Sequence, residues 1–190
     1  MKVKHLVGAF LCVLGCYACS SPKTEVQSPD GHIKMTLTVD ENGKPFYNVS
    51  VDDSLLIENS AMGFTAANGI ILGEGFQVKN TTFSSEDETW TQPWGENKKN
   101  RNHYNEMAVS LTNEDQVQLT LRFRVFDDGI GFRYEYTVPT VDSLLITDEL
   151  TTFRFHRDGT SWSIPASAET YELLYQQQPI SEVETANTPF

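Results

Sequence analysis

The stretch VQLTLRFRVFDDGIGFRYEY, residues 117–136, decides the fold. Val117, Leu119, Leu121, Phe123 and Val125 alternate with Gln118, Thr120, Arg122 and Arg124. An apolar side chain at every second position marks a strand with one buried face. Asp127-Asp128-Gly129 follows, and Asp and Gly are turn residues for backbone reasons. Ile130, Phe132, Tyr134 and Tyr136 then resume the alternation until Pro139. The spacing predicts two antiparallel strands sharing a long apolar face.

The same period recurs upstream. Met107, Val109 and Leu111 alternate with Ala108 and Ser110, and Asn113-Glu114-Asp115 turns the chain. Ile33, Met35, Leu37 and Val39 line one side of another strand. Asn42-Gly43 is a hairpin-turn signal, because glycine tolerates positive φ. Phe46 to Val51 is the next strand, Asp52-Asp53 a turn, and Leu55 to Ile57 a short strand. Residues 63–78 carry four glycines among apolar residues and read as short strands and bends. Residues 80–100 are polar, punctuated by Trp90 and Trp94, and read as a long loop of the kind that often carries function. Downstream, Leu144 to Ile146 and Thr151 to Phe155 read as strands. Ala168 to Gln176 is expected to form a short helix, with Tyr171, Leu174 and Tyr175 on one side. No segment carries a sustained 3.6-residue apolar stripe. The expected fold is all-β: an antiparallel β-sandwich.

Length and charge bound the rest. At 190 residues the chain has room for one domain, and a (β/α)₈ barrel of roughly 250 residues is excluded. Lys plus Arg is 14 against 26 Asp plus Glu, a net charge of −12. Nucleic acid and anionic lipid surfaces both require a basic face, so both are excluded as partners.

Residues 1–19 read as an export signal. Lys2, Lys4 and His5 precede the apolar run Leu6 to Gly15, which is shorter than the roughly 20 residues of a membrane span. All three cysteines, Cys12, Cys16 and Cys19, lie here. The signal resembles a bacterial lipoprotein signal, with either Cys16 (behind Val13-Leu14-Gly15) or Cys19 (behind Ala18) as the lipidated residue. An ordinary secretory signal cut after Ala18 is the alternative. The expected location is the periplasm, or the outer membrane through a lipid anchor. Residues 20–28 read as a tether and 29–190 as the sandwich.

Few residues carry an obvious chemistry. Asp127-Asp128 reads as a turn rather than a cation site. Gly129-x-Gly131 lacks the following helix that a phosphate-cradling loop needs. Arg101 to Glu106 is dense in polar groups at an expected loop-to-strand junction. Its reading is structural or interdomain ahead of sugar-facing. The histidines show no metal-ligand spacing, and without a mature cysteine pair a zinc site is not expected. Trp90, Trp94 and Trp162 would suit sugar rings, but each is read first as a core or interface residue.

Three stretches together go beyond a generic sandwich: SPDGHIKMTLTVDENGKPFYNVS (28–50), ETWTQPWGENKKNRNHYNE (88–106) and FRVFDDGIGFRYEY (123–136). In this order they resemble the amino-terminal domain of glycoside hydrolase family 97. That resemblance implies a galactose-mutarotase-like supersandwich. It implies a parent enzyme acting on α-glucosides or α-galactosides, with a calcium ion at the active site and its catalytic acids in a (β/α)₈ barrel. The barrel is absent from this chain, so no catalytic residue maps here. The sandwich is expected to be incomplete at its C-terminus, the chain being an amino-terminal fragment or a truncated product. By itself it is expected to be inactive.

The family resemblance also implies one calcium ligand from this domain. Glu172, in Tyr171-Glu172-Leu173-Leu174-Tyr175 behind Trp162 to Pro165, is the matching position, with Glu169 as the register alternative. Calcium takes six to eight oxygens, so its other ligands would have to come from the barrel. A solvated glutamate on a short helix is the plain alternative. Two further readings of the whole chain stay open: a free-standing glycan-binding lipoprotein and a non-functional truncated product. Substrate anomer class and retaining or inverting chemistry are set by carboxylates of the absent part.

Overall fold

A computed structural model describes residues 23–139, 141–165, 169–170 and 172–183. The stretch read as an export signal and residues 184–190 lie outside the described residues. Strand β1 (Glu25–Gln27) pairs antiparallel with β2 (Ile33–Val39), β2 with β3 (Pro45–Val51), and β3 with β4 (Ser54–Ala61). β1 lies within the stretch read as a tether and buries Val26 in the core. β5 (Phe64–Ala66) and a 3₁₀ turn (Ala67–Gly69) follow. A second four-stranded antiparallel sheet is built from β6 (Gln77–Thr91), β7 (Lys99–Thr112), β8 (Gln118–Phe126) and β9 (Gly129–Thr137). β10 (Ile146–Glu149) pairs with β5, and β11 (Thr160–Ser163) with β12 (Gln176–Pro179), each as a two-stranded antiparallel unit. No α-helix occurs among the described residues.

The two large sheets bury their apolar faces against each other. Met35, Leu37 and Tyr47 of the first sheet and Met107, Val109, Leu119, Leu121 and Phe123 of the second are almost wholly enclosed in one cluster. These are the alternating positions of the sequence, because a strand side chain points to the opposite face at each step. Tyr47 and Phe132 meet across the sandwich, ring centroids 5.4 Å apart, and the Tyr47 hydroxyl donates to the Thr152 carbonyl at 2.9 Å. Each fully buried Leu or Phe contributes roughly 1.5–3 kcal/mol.

The turns follow the chemistry of their residues. Asp52 and Asp53 both take positive φ, 48° and 60°, which places the β3–β4 connection in the primed-turn class that matches strand twist. Gly43 has φ +75°, and a Cβ there would lie 2.3 Å from the Phe76 nitrogen.

Four expectations are corrected. Residues 80–100 are not a long loop: most of them lie in β6 and β7, which form a hairpin closed by residues 92–98. β6 is an edge strand exposed on both faces over most of its length, so no alternation is imposed on its sequence. Ala168–Gln176 is not a helix at its described positions. Residues 172–175 have no regular secondary structure and lead into β12, with Leu174 90% exposed and no layer for an apolar stripe to pack on; Ala168 and Tyr171 lie outside the described residues. The strand expected at Leu144–Ile146 begins at Ile146. Thr151–Phe155 is not a full strand but runs beside β4. There Thr152 N donates to Ala61 O and Glu58 N to Arg154 O, with one bridge between Ile57 and Phe155.

Candidate functional site

Polar residues of the second sheet gather on its outer face. Glu106 on β7 faces Arg124 and lies diagonal to Arg122, both on β8, while Glu135 and Arg133 come from β9. Arg122 Nη1 donates to Glu106 Oε1 at 2.5 Å, and Arg124 Nε to Glu106 Oε2 at 2.7 Å. Arg122 Nε donates to Glu135 Oε1 at 3.0 Å, and Arg133 Nε reaches the same oxygen at 2.7 Å. Burial works to raise the Glu106 carboxyl, but the hydrogen bonds from Arg124 and Arg122 outweigh it and hold the group below the usual carboxylate range. The Arg124 guanidinium also lies over the Tyr104 ring, 4.4 Å from its centroid. Every charge here has a partner of opposite sign, which is the arrangement of a structural network.

Arg101 to Glu106 therefore lies inside β7 rather than at a loop junction. Arg101 grips Asp87 of β6 with two 2.7 Å bonds, and its hydrogen bond holds the Asp87 carboxyl below its ordinary value. Asn102 donates to Glu88 at 3.1 Å, and Asn105 to the Gln27 carbonyl at 2.9 Å. These bonds brace β6 and β1, in line with the structural reading of the motif.

Asp127 begins the β8–β9 turn, as expected, and also accepts from the Asp30 amide at 3.0 Å. His32, His103 and His156 each sit against one carboxylate, Asp52, Asp127 and Glu58 respectively. The three tryptophans are not core residues. Trp94 is 84% exposed, Trp162 63% and Trp90 48%. Trp162 stands on β11 opposite Gln177 of β12.

Glu172 lies in the irregular segment before β12, with its side chain in solvent and its amide donating to Thr170 Oγ1 at 3.0 Å. At the other end of the β11–β12 pair, Asp158 is tied to Ser181. The Ser181 hydroxyl, donating at 2.7 Å, holds that carboxyl below its usual value. No group of three or more His, Cys, Asp or Glu side chains that could hold a metal occurs among the described residues. On their own these residues therefore do not make a calcium site; Glu172 offers one accessible carboxylate where six to eight oxygens are needed.

The feature that sequence reading missed is the β6–β7 ribbon. β8 ends opposite Tyr104, while the β6–β7 pairing continues through His103, Asn102, Arg101, Asn100 and Lys99. The threonines and Trp90 of β6, residue types enriched in strands, were the available signal.

Comparison with known proteins agrees with this architecture. Residues 26–190 match the family model described as the glycosyl hydrolase 97 N-terminal domain. A retaining α-galactosidase of Bacteroides thetaiotaomicron is 29% identical over 133 residues, which is 70% of this chain and 19% of that protein. Among solved structures, a family 97 enzyme from Pseudoalteromonas sp. strain K8 in complex with panose superposes with a TM-score of 0.75 at 35% identity. That match covers 83% of this chain and 25% of the enzyme. A β-arabinopyranosidase matches with a TM-score of 0.70 at 25% identity, over 80% of this chain and 26% of that one. The chain thus spans about a fifth to a quarter of these relatives. A two-sheet antiparallel core and a family match from Val26 to Phe190 lead to one assignment: the chain belongs to glycoside hydrolase family 97, as its N-terminal domain.

Proposed function

We propose that this chain is the N-terminal sandwich of an exported family 97 α-glycosidase. It packs against a catalytic barrel in the same polypeptide, forms one wall of the sugar site, and supplies Glu172 to a calcium site completed by that barrel. The observation that carries the reading is the combination of a family match over residues 26–190 with coverage of only 19% of a retaining α-galactosidase. Calcium, where bound, would supply positive charge at the substrate. This chain's part is to hold one carboxylate in solvent reach and to shape the wall around it.

Export rests on the apolar run Leu6 to Gly15 behind two lysines, with lipidation at Cys16 or Cys19. The test compares the 190-residue chain with a polypeptide extended through the downstream reading frame, using nitrophenyl α-glucosides and α-galactosides. Turnover by the extended product alone supports the reading. Turnover by the short chain, or a frame that closes directly after Phe190, overturns it.

A further inference from the structure

We propose that the outer face of the second sheet carries a binding site for a small oxyanion, a carboxylate or phosphate group held by the Arg124 guanidinium in the open space over Gly131. The site goes beyond the function proposed above and does not depend on it.

The observation that points to a ligand is a glycine without an internal reason. Gly131 lies inside β9, paired directly with Arg124 of β8. Glycine in a strand interior weakens the strand. It commonly marks a bulge, a tight bend, or the close approach of a ligand or another backbone. The β8–β9 pairing runs without a bulge from Gln118 opposite Thr137 to Phe126 opposite Gly129. The φ of Gly131 lies outside the left-handed region, and a Cβ placed there meets nothing within 4 Å. Neither backbone conformation nor crowding therefore requires glycine. The missing side chain leaves a cavity of about 230 Å³ bordered by Arg122, Arg124, Phe126, Phe132 and Arg133.

The charges around that space favour an anion. The guanidiniums of Arg122, Arg124 and Arg133 share the two carboxylates of Glu106 and Glu135, so the cluster carries 3 − 2 = +1. Arg122 and Arg133 stand directly opposite each other, an unfavourable placement for like charges. Both of them turn to Glu135, at 3.0 Å and 2.7 Å. Arg124 donates only through Nε, to Glu106 Oε2, among the described residues. Its Nη pair is left for a ligand. The Tyr104 ring, 4.4 Å from the guanidinium carbon, fixes the plane of that fork. A planar fork binds two oxygens of one carboxylate or phosphate.

Size narrows the ligand. Pockets for drug-sized molecules run to about 300–1,000 Å³, so this cavity suits one anionic group rather than an oligosaccharide. The net charge of −12 on the chain opposes anions at long range. That field is screened beyond roughly 10 Å in 0.1 M salt, whereas Arg124 acts at contact.

The test is calorimetry on the 190-residue chain at constant ionic strength, with inorganic phosphate and glucuronate as probes and glucose as the neutral control. Saturable binding of at least one anion, and none of glucose, is expected. The anion that binds identifies the source of the oxyanion. Gly131→Val fills the space and touches no charge. It is expected to weaken binding tenfold or more while the melting temperature holds or rises, because valine is the better strand former. Arg124→Lys keeps the charge beside Glu106 but loses the fork, and is also expected to weaken binding tenfold or more. No binding of either anion by the wild-type chain overturns the site, and so does undiminished binding by Gly131→Val. A lowered melting temperature in Gly131→Val would give the glycine a structural role and overturn it too. None of these readouts involves turnover, so failure of the site leaves the enzyme reading intact.

Discussion

Glu106 and Arg122 meet on the outer face of the second sheet, Oε1 to Nη1 at 2.5 Å, with the Glu106 side chain only 9% exposed. Arg124 binds the other oxygen of the same carboxylate at 2.7 Å. One carboxylate thus ties two guanidiniums on β8 to strand β7. Breaking one side of such a pair leaves the rest poorly solvated.

Glu106→Gln is accordingly expected to lower stability by about 3 kcal/mol at pH 7. Its folded pKa lies below the unfolded value, so the stabilisation is complete above the unfolded pKa of about 4.3 and is lost as pH falls through the folded pKa. Urea titrations of the two proteins should differ at pH 7 and converge as the medium becomes more acidic than the folded pKa. A constant difference across that range would show that the carboxylate charge is not the source.

Leu121→Ala removes a side chain with no solvent exposure from the centre of the core. The expected cost is about 2–5 kcal/mol. Tyr47→Phe keeps the ring and loses only the bond to the Thr152 carbonyl, an expected cost of about 1 kcal/mol. Denaturant midpoints of both variants check the ranking, and a larger loss for Tyr47→Phe would contradict it.

Gly43 and Gly31 both adopt positive φ, +75° and +83°, but only Gly43 is crowded. Gly31→Ala meets nothing within 4 Å and is expected to cost only the conformational strain of about 1–2 kcal/mol. Gly43→Ala would press on the backbone of Gly75 and Phe76 and is expected to cost clearly more. Thermal melts of the pair separate crowding from backbone strain.

Glu172→Gln is expected to leave the melt of the 190-residue chain unchanged, because the carboxylate is in solvent. In the extended polypeptide it is expected to weaken calcium binding by tenfold or more, in line with losing one of six to eight ligands (about 1.4 kcal/mol per tenfold). Calorimetry with calcium chloride reads this without reference to turnover. Unchanged affinity would move the ligand elsewhere, with Glu169→Gln as the next variant.

The sandwich was legible wherever a strand has one wet face and one dry face. At Leu119, Leu121 and Phe123 the period of two is written directly into the chain, and the structure encloses all three. The same logic explains the misses. β6 is wet on both faces, so Thr81 to Thr91 carries no period and looked like a loop. At Ala168–Gln176 a weak stripe suggested helix, but Leu174 and Tyr175 stand in solvent at the described positions. The tryptophans were expected first in the core or an interface, and the structure excludes the core because nothing among the described residues covers Trp94.

By itself the sequence determined the all-β class, the strand pairs around the turns at Asn42-Gly43 and Asp127-Asp128-Gly129, and the family through three ordered motifs. Those features are local: alternation and turn chemistry act over a few residues. Only the tertiary structure decided that β6 and β7 outrun β8, that Arg122 and Arg124 share Glu106, and that Glu172 stands in solvent. Such facts depend on where other strands end and which side chains they place across a sheet, and these contacts between distant residues leave no period in the chain.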